Sequence, residues 1–161
     1  MKKIVLFLIF PILTFAQIEK TIKLKVAVVQ EIIKKGELAE TEFWQTKGKV
    51  TFAIVNYTNE QNSIFKELFI KQFHEILPIY NKMIISYDEK DTALFVKILI
   101  RQEDDYRNLL TKSQLKLYLE KLADFEKNNP QQNDAYTSLF FSEKLLKEYK
   151  FKFGYNEKTP N

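Results

Sequence analysis

His74 and Glu75, in the run Phe73-His74-Glu75-Ile76-Leu77-Pro78, begin like the helix of a zinc protease. That helix needs a second histidine one turn later on the same face to grip the metal. Pro78 stands in its place, and His74 is the only histidine in the chain. The run is read as ordinary helix, with His74 partly exposed. Asp88 to Phe95, "DEKDTALF", lacks the turn glycine and the alternating oxygen ligands of a calcium loop. Glu103, Asp104 and Asp105 are consecutive. Neighbours on a helix diverge, so this acidic group is read as a solvated face, with weak cation binding as the alternative. Neither a glycine-rich phosphate cradle nor a Gly-x-Ser-x-Gly elbow occurs. The chain has no cysteine, which excludes disulfides, thiol catalysis and thiolate metal sites. The expectation is therefore a protein that is not an enzyme, with no catalytic, cofactor-binding or metal-binding residues.

The elements around these residues begin with a leader. Lys2 and Lys3 precede an apolar run from Ile4 to Phe15, followed by Ala16. This is the layout of a secretory signal peptide, too short for the ~20 residues that span a bilayer. Cleavage after Ala16 is expected, with the protein periplasmic or secreted and no transmembrane segment in the mature chain. Loss of Lys2 and Lys3 lowers the net charge of +4 by two. Lysines and acids alternate finely in the remainder, so no nucleic-acid partner is expected. The domain reading is 1–16 signal peptide, 17–154 one helical domain, and 155–161 a flexible tail.

Only three glycines and four prolines occur, too few for the turns of a β-sandwich or barrel. Phe65, Leu68, Phe69, Phe73, Ile76, Leu77, Tyr80, Met83, Ile84 and Tyr87 step by three or four, as on one helix face. A kink or break is expected at Pro78. Further helical runs take Phe95, Ile98, Leu99 and Tyr106; then Leu115, Tyr118, Leu119, Leu122 and Phe125; then roughly Asp134 to Tyr149. Near the start, Ile22, Val26, Val29 and Ile33 are placed inward, with Lys34, Lys35 and Gly36 as stop signals. The fold class is all-α, a compact or curved bundle of about five to six amphipathic helices. An α+β fold is the alternative, because "IKLKVAVV" also alternates and 48–57, 82–88 and 93–101 are rich in strand formers.

Leu110, Thr111 and Gln114 sit where two of these helices meet. Thr111 suits an N-cap, Gln114 reaches back to the cap's amide, and Leu110 packs toward Leu115, which makes a capping box with a hydrophobic staple. In an exported helical chain this corner resembles the Leu-Thr-x-x-Gln family of small periplasmic proteins, the Spy-like and CpxP-like chaperones and envelope-stress accessories. The likeness extends over residues 92–127. It implies a thin, curved helical dimer whose concave face holds unfolded clients without ATP. Two departures stand out. The family shows the motif twice, whereas here the other match, Leu13, Thr14 and Gln17, falls at the leader. The chain is also more aromatic, with 14 Phe and 8 Tyr.

Phe43–Trp44 and Phe140–Phe141 are adjacent aromatics, which on a helix cannot both enter one core squarely. They either wedge between helices or offer an apolar patch to a partner. The functional expectation is an exported, non-enzymatic helical binding protein, chaperone-like or an envelope-stress accessory, with unfolded clients or a protein partner. The alternative is an interaction subunit of a cell-envelope complex. A homodimer is compatible with either.

Overall fold

A computed structural model describes residues 22–86, 88–128 and 140–155. The leader, the 134–139 part of the last expected helix and the tail from 156 lie outside the described residues. Among the described residues there are six α-helices: α1 (22–33), α2 (Ala39–Val55), α3 (Asn59–Ser86), α4 (Glu89–Asn108), α5 (Lys112–Asn128) and α6 (Glu143–Lys152). No strand occurs among the described residues, and the described residues of the segments weighed as strands are helical apart from Asn56, Tyr57 and Asp88; Tyr87 lies outside the described residues.

The boundaries follow from local chemistry. Past α1 the chain passes through Gly36 at φ 60°, a left-handed position where glycine carries no Cβ penalty. α2 ends on Asn56 at φ 51°, whose N–H donates to the Phe52 carbonyl. Asparagine is among the few non-glycine residues that tolerate this region. Asp88 caps α4 by accepting from the Lys90 amide, and Ser142 caps α6 by accepting from the Leu145 amide at 3.3 Å. α6 closes with Gly154 at φ 58°. Tyr155 N–H donates to the Lys150 carbonyl at 3.0 Å and Gly154 N–H to that of Phe151 at 3.4 Å, the Schellman pattern. Tyr155, assigned above to a flexible tail, is thus tied to the helix end and packs against the core.

α3 runs through Pro78 without a break. Its face of Phe65, Phe69, Phe73, Ile76, Tyr80 and Met83 is buried as the spacing predicts. α2 and α4 pack against α3, α5 lies against α2, and α6 lies against α4. One continuous apolar core draws on all six helices. The surplus of aromatic residues goes largely there. Tyr57 and Phe65 rings lie 4.2 Å apart, Phe65 and Tyr106 5.3 Å, and Tyr106 and Tyr118 5.2 Å. Such contacts each add ~0.5–1.5 kcal/mol beyond area burial.

Two corrections concern charge. In α1 the inward face is Ile22, Lys25, Val29 and Ile32, while Val26 and Ile33 are half-buried. The helix is rotated so that a lysine takes a core position. In α4 the acidic group is not a solvated face: Glu103 is 3% exposed and Asp104 and Asp105 are half-buried. Both exceptions belong to one site.

Candidate functional site

The bundle interior holds an ionic cluster. Arg107 lies one turn after Glu103 on α4, so its Nε donates to Glu103 Oε1 at 2.7 Å. Tyr118 on α5 donates its hydroxyl to the same oxygen at 3.0 Å, and the Phe141 amide donates to Oε2 at 3.4 Å. Arg107 Nη2 donates to the Phe141 carbonyl at 2.6 Å, and Lys25 Nζ on α1 to the Phe140 carbonyl at 2.8 Å. Lys25 Nζ also lies 3.9 Å from the Phe141 ring centroid. Three charged side chains thereby grip the backbone of the strap that leads into α6. A second buried amine, Lys47 Nζ on α2, donates to Gln72 Oε1 at 2.6 Å. Gln72 and Gln102 each donate through Nε2 to the other's backbone carbonyl, at 2.9 and 2.8 Å, which pins α3 to α4.

Burial disfavours the charged amine. It lowers Lys25 from an ordinary 10.5 to about 7, opposed by the Glu103 carboxylate and assisted by Lys47. Lys47 is lowered to about 8 by burial, again opposed by Glu103. Tyr57 and Tyr106 share a hydrogen bond of 2.8 Å between hydroxyls. Burial holds Tyr57 up at about 12 and raises Tyr106 and Tyr118 as well. A lysine near neutrality is a competent nucleophile or base in an open cleft. Lys25 is 0% exposed and its amine is engaged, so its part here is to hold the strap.

A different feature faces solvent. Between α2 and α3 runs a groove of about 560 Å³. Its aromatic wall is Trp44, Phe52, Tyr57, Phe65 and Phe69, with Lys49 and Lys66 among its other lining residues. Phe52 is 49% exposed, and Lys66 Nζ stands 4.7 Å from the Trp44 ring centroid. Gly48 also lines it, and a Cβ built there meets nothing within 4 Å. The packing of the fold does not require this glycine. The volume falls in the ~300–1,000 Å³ range of ligand sites.

Compared with protein families, curated proteins and solved structures, the chain matches none.

The residues singled out in the sequence divide between these features. Phe43, Phe140 and Phe141 are at most 1% exposed, so none of the three offers a surface to a partner. The premise for exposing one of each pair was helical geometry. Residues 140–142 are not helical, and this sends Phe140 toward Tyr106 and Tyr118 and Phe141 toward Tyr149. Trp44 alone of the four is half-buried, and it lines the groove. His74 is exposed on α3, with Nε2 2.7 Å from Glu40 Oε2 on α2.

At the corner, Thr111 N–H donates to Gln114 Oε1 at 3.1 Å and Gln114 N–H to Thr111 Oγ1 at 3.2 Å. Leu110 and Leu115 both pack on the core. Thr58 and Gln61 repeat this reciprocal cap at the start of α3, at 3.2 Å in both directions. The two glutamine amides then pair across the fold, Gln61 Nε2 to Gln114 Oε1 at 2.9 Å and Gln114 Nε2 to Gln61 Oε1 at 3.0 Å. The Thr-x-x-Gln spacing of the second box was available in the sequence, but Tyr57 stands where the motif has leucine. A double-mutant cycle of Gln61→Ala and Gln114→Ala is expected to show a coupling of ~0.5–1 kcal/mol in urea unfolding. Additivity within error would mean that the amide pair contributes nothing beyond the two caps.

Proposed function

We propose that this is an exported, non-enzymatic binding protein that holds apolar segments of other proteins, chaperone-like in action, in the groove between α2 and α3. The carrying observation is the groove itself, where Phe52 and Trp44 remain accessible although the core had room for so many other aromatic rings. An exposed aromatic surface rimmed by polar groups is the usual mark of an interaction site. The signal-like layout of residues 2–16 supports export. The repeated Thr-x-x-Gln cap supports kinship with the motif family, whose members carry that corner twice. The chemistry within reach supports a role by binding: the single histidine faces solvent beside Glu40, and the low-pKa lysines lie inside the core.

The test is light scattering of a chemically denatured client diluted into the purified protein. Substoichiometric protein is expected to suppress aggregation. Phe52→Ser is expected to reduce suppression several-fold while costing only ~1–2 kcal/mol in the free energy of urea unfolding, as for a half-buried ring, so that the variant stays folded. No suppression at molar excess overturns the chaperone reading. In that case one stable cross-linked partner would point to the envelope-complex subunit.

A further inference from the structure

We propose that the α2–α3 groove selects among apolar peptide segments, preferring those that carry carboxylates beside the inserted side chain. This rests on the binding reading above and names its ligand class. The aromatic wall supplies the apolar part of recognition. The charged residues that line the groove are Lys49, on α2, and Lys66, on α3; no carboxylate lines it among the described residues. An extended segment lying along the groove therefore meets an ammonium from either helix. Lys66 is held close to the edge of the site by its position over the Trp44 indole, which lowers the ordering entropy lost when a carboxylate engages it. Gly48 adds an independent observation. Glycine inside a helix costs ~1 kcal/mol relative to alanine, and no neighbour here requires it. What its missing side chain provides is depth in the groove.

The concave site suits an inserted peptide side chain better than the flat interface of an anionic membrane.

Trp44 is the only tryptophan in the chain, so its emission reports on the groove directly. The experiment titrates the full-length protein with short fluorescent Leu/Phe peptides flanked by Glu or, in a matched set, by Lys. Affinity is read by anisotropy and groove occupancy by Trp44 emission. The acidic set is expected to bind roughly five- to tenfold more tightly at low salt, the scale of two exposed ion pairs. The ratio should collapse toward one at about 1 M salt, where the Debye length is ~3 Å. It should also collapse in the double variant Lys49→Gln/Lys66→Gln, where the two sets fall to a common affinity. Gly48→Leu, growing into open space, should abolish binding of both sets with its helical circular dichroism signal unchanged.

Equal affinity for the two sets overturns the charge preference and leaves the binding reading standing. Failure of both sets to bind or to shift Trp44 emission removes both. A Trp44 shift with anionic vesicles and not with peptide, or one that follows protein concentration alone, would assign the groove to a membrane or to a second copy and overturn the proposal. Should Gly48→Leu fail to fold, the surface lysine variants decide the matter by themselves.

Discussion

Replacing Glu103 with alanine is expected to lower stability by about 3–5 kcal/mol, the range for removing one partner of a buried ion pair. The carboxylate accepts from Arg107, Tyr118 and the Phe141 amide. Without it the Arg107 guanidinium is left against Tyr118 and the strap with no counter-charge in contact, and both buried lysines lose the negative charge that offsets their desolvation. The strap into α6 loses one of its grips, so α6 should detach at lower denaturant than the rest of the bundle. Urea unfolding followed by circular dichroism checks the total, and hydrogen exchange of the 143–152 amides checks the location. As a control, Glu143→Ala breaks an exposed pair with Lys147 at 3.2 Å and should change stability by no more than ~0.5 kcal/mol. A loss of under ~1 kcal/mol for Glu103→Ala would mean that the buried network is energetically neutral, the outcome known when desolvation cancels attraction.

The second large effect is in pH. Lys25 and Lys47 titrate at about 7 and about 8 in the fold and at an ordinary 10.5 when unfolded. Between these values the unfolded chain binds more protons, so stability rises with pH across that window. Above pH 10 the sign reverses. Tyr57, Tyr106 and Tyr118 are raised in the fold above an ordinary 10.0, so the unfolded chain loses protons first and stability falls. The unfolding free energy from urea titrations should climb from pH 7, peak between pH 9 and 10, and drop beyond, with a gain on the order of a few kcal/mol. Lys25→Met, similar in volume but without a titrating group, should flatten much of the climb. A profile already flat from pH 7 to 9 in the parent would show that the lysines keep their ordinary titration through water or rearrangement.

Much of this fold is legible in the chain. Scarce glycine and proline, the three-and-four spacing from Phe65 to Met83, and the cap at Thr111 to Gln114 each describe interactions within about two helical turns, and the helices form where those signals lie. The same locality explains what was not legible. Lys25 and Glu103 have the residue types of a solvated surface, and nothing near them in sequence marks them as interior. Their partners are 115 residues away for Lys25 and up to 38 for Glu103. Phe140 and Phe141 lie in an apolar run for which a helix is the default, whereas a strap anchored from α1 and α4 holds them in a non-helical conformation.

The sequence by itself determined that this is a chain of amphipathic helices without thiol or histidine-pair chemistry, because backbone hydrogen bonding, capping and residue type act locally. The tertiary structure alone decided which faces turn inward, that Lys25 and Glu103 are both buried and both hydrogen-bond to the strap, that two distant glutamine caps pair, and that Trp44 and Phe52 line a groove while the other aromatics in question are enclosed. Burial is a property of the packed assembly, and an ionic side chain can lie inside only where long-range contacts supply the opposite charge and the hydrogen bonds that water would otherwise give.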